Sequence, residues 1–168
     1  GRRARIAGDG DRDVAMGHRR LAVIDPGEGG YQPMLSADRR HVIVFNGEIY
    51  NFLELRRELE TRGAIFRTQS DTEVILAAWR EWREGMLSRF NGMWALAIYD
   101  TTTDELFLAR DRFGIKPLLY ALSSERFVFA SEQRALARSG LIEASLDIDV
   151  ARRLLLDPFG IEGSERTL

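Results

Sequence analysis

Continuous apolar runs bracket two stretches of helical periodicity along the chain, and this alternation predicts its elements. "RRLAVID" (residues 19–25) and "HVIVFN" (residues 41–46) have the apolar density of buried strands, the first ending at Asp25-Pro26-Gly27 with Gly29-Gly30 beyond. "NFLELRRELETRG" places Phe52, Leu55 and Leu59 on one helical face. Asn51 is its expected N-cap, Glu54 the capping-box partner and Gly63 the stop. "SDTEVILAAWREWREG" repeats the design: Ser70 as cap, Glu73 three residues on, Val74, Ala78 and Trp82 in one stripe, and Trp79 beside it. Two hairpins should follow, "MWALAIYD" with "ELFLARD" around "TTTD", and "PLLYAL" with "RFVFAS" around "SSER". "EQRALARSG" reads as a short helix ending at Gly140, and "DIDVARRLLLDPFGIEGSERTL" as a last helix and a linker. Strands, two helices and then hairpins make an α+β chain with mostly antiparallel sheets, most naturally a helix-layered sandwich.

Composition narrows the functional classes. The 168 residues suit one domain, or one domain and the start of another, and their net charge of -2 has both signs interspersed. That leaves no basic footprint for nucleic acid and no polybasic membrane patch. No apolar run approaches the ~18 residues of a membrane span, and no signal-peptide pattern opens the chain. A cytoplasmic location is the default expectation. There are no cysteines, hence no disulfide framework, no thiolate metal site and no thiol nucleophile. The polar opening "GRRARIAGDGDRD", led by Gly1 and running into "AMGHRRLAVID", is expected to lie inside a domain, so the chain reads as a fragment.

Several motifs invite chemistry. Asp9, Asp11 and Asp13 alternate as in a calcium loop, but Val14 and Arg20 stand where such a loop needs Gly and Glu. His18 and His41 are too few and too scattered for a metal site. "RDRFGIKP" interrupts the kinase Asp-Phe-Gly with Arg112 and lacks the accompanying phosphate loop. Its plainer reading is a strand end turning at Gly114, with ions holding the turn. "FNGE" is the most informative stretch. An Asn-Gly pair commonly marks a tight hairpin, yet a capped helix follows rather than a partner strand. A strand that ends in an amide, a glycine N–H and a carboxylate suits an oxyanion and ammonium site. The residues alone leave both readings open. Taken singly, Asp71 reads better as a helix-dipole partner and Arg20 as a solvated base at a strand start.

In combination, "GHRRLAVID", "FNGEIYN", "SDTEVIL", "FNGMWALAIYD", "ARDRFGIKPLLY" and "FASEQRAL" resemble, in order and near spacing, the glutaminase half of glutamine-hydrolysing asparagine synthetases. The resemblance covers roughly residues 15 to 140. It implies the four-layer α/β/β/α sandwich of class II glutamine amidotransferases, whose N-terminal cysteine attacks glutamine's carboxamide. By resemblance, Arg20 pairs with the substrate α-carboxylate, a bidentate fit, and Leu21, Ala22, Val23 and Ile24 run along the bound glutamine. Asn46 and Gly47 resemble the oxyanion hole, and Glu48 and Asp71 the acceptors for the α-ammonium.

The family's opening cysteine, first strand and "HRGPD"-like segment have no counterpart here. The expectation is a truncated amidotransferase domain over residues 1–145, lacking that strand and its nucleophile and inactive alone, then a helix and linker over residues 146–168. No cofactor is expected in the fragment. ATP and magnesium belong to an absent synthetase domain, the expected partner in the same chain, and a homodimer is one assembly the resemblance allows. A non-catalytic scaffold domain is the competing class. An amidotransferase with another acceptor, of lactam-forming, aminosugar or purine-precursor type, is the competing enzyme.

Overall fold

The computed structural model describes residues 2–7, 13–19, 28–142 and 148–156. The chain divides into two compact units, Gly1–Leu118 and Leu119–Leu168.

The first unit is built on a four-stranded antiparallel sheet in the order β3-β4-β5-β6. Its strands are β3 (Met34–Leu35), β4 (His41–Ile49), β5 (Gly92–Asp100) and β6 (Glu105–Arg110). In the register of the central pair His41 opposes Asp100 and Ile49 opposes Gly92. Side chains alternate across a strand. Ile43, Phe45 and Ile49 of β4 therefore join Trp94, Leu96 and Ile98 of β5 in the main core. Helices α1 (Phe52–Thr61) and α2 (Asp71–Trp82) cover that face with Leu55, Leu59, Val74, Ile75, Ala78 and Trp79. Trp79 stacks at a tilt on Phe107 of β6, ring centroids 4.6 Å apart. The intervening residues Val42 and Val44 are buried on the opposite face of β4, which is why the strand reads as a continuous apolar run rather than an alternating one.

The helix boundaries agree with the pattern, but two of the capping expectations do not hold. Ser70 accepts from the Thr72 N–H at 3.1 Å, as a cap should. Asn51 precedes α1 without a side-chain cap bond. Its amide instead donates to Arg89 O and accepts from Asn91 N, both at 3.0 Å, tying the end of β4 to the segment that enters β5. Glu73 does not return to Ser70. It accepts from the backbone of Arg67 and Thr68, so it knots the preceding loop. In both cases a nearby loop offers donors that a capping box would leave unmet.

The polar opening hides a hairpin that its composition does not announce. Strands β1 (Arg2–Ala7) and β2 (Asp13–His18) pair antiparallel, Arg2 opposite His18 and Ala7 opposite Asp13. Ladder bonds come from the backbone, so a strand rich in arginine still pairs. Met16 of β2 is buried. The strand expected over residues 19–25 lies outside the described residues from Arg20 onward, as do Asp9 and Asp11.

The second unit holds the hairpin of β7 (Leu119–Leu122) and β8 (Phe127–Ala130), closed by a Ser123 N–H bond to Arg126 O at 2.8 Å. Helix α3 (Gln133–Arg138) packs against both strands with Leu136 buried. Helix α4 (Ile148–Leu156) lies within the last predicted helix, and residues 157–168 are outside the described set. The chain is thus mixed α and β with antiparallel sheets, as the pattern predicts.

Candidate functional site

The C-terminal end of β4 carries the candidate chemistry. Asn46 and Glu48 alternate with Phe45 and Ile49, which enter the helical core, so both belong to the opposite face of the strand. Both are half-buried, and no hydrogen bond ties either side chain to another described residue. Between them, Gly47 has φ 155°. A Cβ there would lie 2.2 Å from Met93 O and 2.6 Å from Trp94 Cα. Those are backbone atoms of β5 that cannot swing aside, so only glycine allows this approach. Gly92 serves the same crossing from the other strand, since its Cβ would meet Glu48 O at 2.1 Å. Asn-Gly is therefore not a hairpin turn here; it sits inside a strand, where two backbones come unusually close.

Asp71 reaches the same end of β4 from another element. It is the first residue of α2 and is almost fully buried, and its Oδ2 accepts from the Ile49 N–H at 3.3 Å. Ile49 follows Glu48 directly, so a buried carboxylate at a helix N-terminus and a half-buried one on the strand share one end of the sheet. The dipole of α2 favours negative charge at that position. Of the predicted binding residues, Asn46, Gly47 and Glu48 follow one another on β4, and Asp71 bonds the backbone of the next residue, Ile49. Arg20, Leu21, Ala22, Val23 and Ile24 lie outside the described residues.

Three residues outside the predicted binding set shape the surroundings. Gln32 is buried, and its Oε1 accepts the N–H of Phe45, the neighbour of Asn46. Its Nε2 donates to Thr72 Oγ1 at 3.3 Å, beside Asp71. The available signal was Pro33, a residue that sheets admit at edge strands, strand starts or bulges. Asp111 is the second. Its carboxylate accepts from the N–H groups of Trp94 (3.1 Å), Phe113 (3.1 Å), Ile115 (2.9 Å) and Lys116 (2.9 Å). Burial pushes this carboxyl up, and the backbone donors more than offset it, so its pKa falls below the ordinary 3.8. The expected ions in "RDRFGIKP" are thus one aspartate clasping backbone dipoles, helped by the Arg110 guanidinium, which donates to Gly114 O. Because Trp94 faces Gly47 across the ladder, this clasp fixes β5 where the glycine approaches it.

The third, Asp100, anchors the far end of the sheet. Arg40 Nε contacts both its oxygens, at 3.0 and 2.9 Å, and holds its carboxyl well below the usual range. His41 Nε2 stands 3.3 Å from Asp100 Oδ2 without hydrogen-bond alignment, and burial lowers its pKa despite the neighbouring carboxylate. A cavity of about 170 Å³ opens near this end, lined by Asp38, His41, Arg62 and Arg80 among others, and none of the predicted binding residues lines it. Among the described residues no group of three or more His, Asp or Glu side chains converges as a metal site would require.

Comparison with known proteins places the chain in a family. Residues 7–167 match the family described as "Glutamine amidotransferase domain". Over 145 residues the chain is 45% identical to asparagine synthetase [glutamine-hydrolyzing] 1 of Bacillus subtilis, covering 86% of the chain and 22% of that protein. Over 160 residues it is 42% identical to asparagine synthetase [glutamine-hydrolyzing] 3 of the same organism, covering 94% of the chain and 25% of the relative. It therefore spans about a quarter or less of these curated relatives. Among solved structures, the glutamine phosphoribosylpyrophosphate amidotransferase of B. subtilis, complexed with ADP and GMP, superposes with a TM-score of 0.64 at 31% identity. That match covers 75% of this chain and 29% of the other. With the family match running through nearly all of its length, the chain belongs to the glutamine amidotransferase domain family.

Proposed function

We propose that this chain is the glutamine-binding, ammonia-releasing portion of a glutamine-hydrolysing asparagine synthetase. What supports the reading is the run Asn46-Gly47-Glu48 on β4, followed by Ile49, whose N–H the buried Asp71 carboxylate accepts. An amino-acid substrate needs one cationic and one or two anionic partners at fixed separation. Glu48 and Asp71 supply the anions for the α-ammonium, and Arg20 the cation for the α-carboxylate. When a thiolate attacks the side-chain carboxamide, its oxygen gains charge, which the Asn46 amide and the Gly47 N–H stabilise. Collapse of the tetrahedral intermediate expels ammonia and leaves a thioester, and water then releases glutamate and restores the thiol. The thiol is not among the 168 residues, so the chain by itself holds substrate without completing the reaction.

This reading also takes the domain as residues 1–145 with a linker helix beyond. Its fold is the four-layer α/β/β/α arrangement short of one strand of the inner sheet, in a cytoplasmic protein. The acceptor, aspartate, and the ATP and magnesium that activate it belong to a synthetase portion of the full protein. The identity to two asparagine synthetases supports that acceptor over the alternatives.

The test is glutaminase kinetics on the full protein. Asn46→Ala should lower kcat by roughly 10²–10³-fold, whereas Asp71→Ala should act mainly on the apparent affinity for glutamine. Wild-type turnover in Asn46→Ala would refute the assignment.

A further inference from the structure

Strand β3 breaks off where its register would continue toward the site. Met34 opposes Ile43 in the antiparallel ladder, so the same register would set Gln32 opposite Phe45. The Gln32 side chain takes over, and its Oε1 accepts the Phe45 N–H that a backbone carbonyl would otherwise satisfy. Substituting a side chain for backbone leaves the other end of the amide available, and it reaches α2, where Nε2 donates to Thr72 Oγ1 at 3.3 Å. Both anchor points adjoin candidate site residues: Phe45 precedes Asn46, and Thr72 follows Asp71. Gln32 and Thr72 are both buried, Thr72 completely. The Thr72 N–H is itself tied to the Ser70 cap at 3.1 Å.

We infer that Gln32 is a positioning residue whose carboxamide, bridging Phe45 and Thr72, sets the separation between the oxyanion donors on β4 and the ammonium-binding carboxylate of Asp71 on α2. This role rests on the glutaminase reading given above. An amide suits it because only a group with an acceptor at one end and a donor at the other can join a backbone N–H to a hydroxyl oxygen in this orientation. The bond of Asp71 to Ile49 is the second tie between the same two elements. Together they fix α2 against β4 at two points and remove the hinge that one tie would leave. A shift of about 1 Å between reacting groups is enough to change rates by about 10²-fold.

The test is glutamine hydrolysis (kcat and KM) and glutamine binding by calorimetry on the full protein, wild type against Thr72→Val, Thr72→Ser, Gln32→Met and the Gln32→Met/Thr72→Val double variant, all well below their melting temperatures. Thr72→Val keeps the side-chain shape and deletes the acceptor. It should lower kcat/KM by roughly tenfold to a hundredfold, through both a lower kcat and a higher KM. Thr72→Ser, which keeps the hydroxyl, should return to within about twofold of wild type. The double variant should lose no more than the worse single one, because both break the same bridge. A merely structural amide would lower the melting temperature and leave kcat and KM of the folded protein unchanged, and that result overturns the role. Additive losses overturn it too. Should Gln32→Met fail to fold, the Thr72 pair decides alone. A wild-type protein that binds glutamine without hydrolysing it is judged on the same variants by dissociation constant. One that does neither refutes the glutaminase reading itself, whereas an active wild type with an unaffected Thr72→Val refutes only the role of Gln32.

Discussion

Replacing Asp111 by Asn removes a formal charge and almost no volume, so it isolates what the carboxylate does for the 111–116 turn. In the wild type Oδ1 accepts from Phe113 and Ile115, and Oδ2 from Trp94 and Lys116. An asparagine can present its oxygen to only one of these pairs. Its NH₂ then faces the other pair, donor against donor, whichever way the amide is flipped. Two hydrogen bonds to a charged group are lost, each worth about 1.5–3 kcal/mol, which sets the cost near 3–6 kcal/mol. The residue is 5% exposed, so water offers little replacement. Against a total stability of roughly 5–15 kcal/mol this is a large fraction. It corresponds to a melting temperature lower by roughly 6–24 °C for a protein of this size. Urea unfolding of wild type and variant at neutral pH measures the difference, with equal m-values required for the comparison. Asp111→Ala should cost more, since it abandons both pairs. A variant Asp111→Asn within about 1 kcal/mol of wild type would show that the clasp is geometric coincidence, and the reasoning that links this turn to the position of β5 would fall with it.

Gly47→Ala should be among the most damaging small substitutions, because a methyl 2.2 Å from Met93 O must push β4 and β5 apart. Forcing atoms into such a contact costs about 1–3 kcal/mol or more, with glutaminase turnover of the full protein down about 10²-fold; an unchanged melting temperature and turnover would contradict the close crossing. Stability should also fall on the acid side in two stages. His41 is held below its ordinary 6.5, chiefly by burial, so the unfolded chain binds the proton first; its contribution is complete above pH 6.5 and is lost as pH falls through the lower folded value. Asp100, lowered first by Arg40, and Asp111 keep their contributions above 3.8 and lose them below it. Urea midpoints measured from about pH 8 to about pH 3 check the order, and His41→Gln should abolish the first stage while leaving the second.

Much of this molecule was determined along the chain itself. The strand from residue 41 to 46, both long helices, the two later hairpins and the short helix before Gly140 follow from local periodicity and turn chemistry, whereas the run of β4 on through Gly47 to Ile49 does not. The link between the end of β4 and Asp71, seen in the Ile49 N–H bond, was suggested only by the family pattern, because nothing local relates a strand end to a helix start more than twenty positions later. What tertiary structure alone decided are the partners of the polar groups. Asn51 and Glu73 carry the signature of capping residues, yet each serves a neighbouring loop, because a folded chain gives its polar side chains to whichever backbone donors would otherwise be stranded. Gln32 and Asp111 look unremarkable in sequence for the same reason. Their bonds run to residues 13, 40 and 17 positions away, and hydrogen-bond partners at such separations follow from how strands and helices stack, which no window of sequence contains.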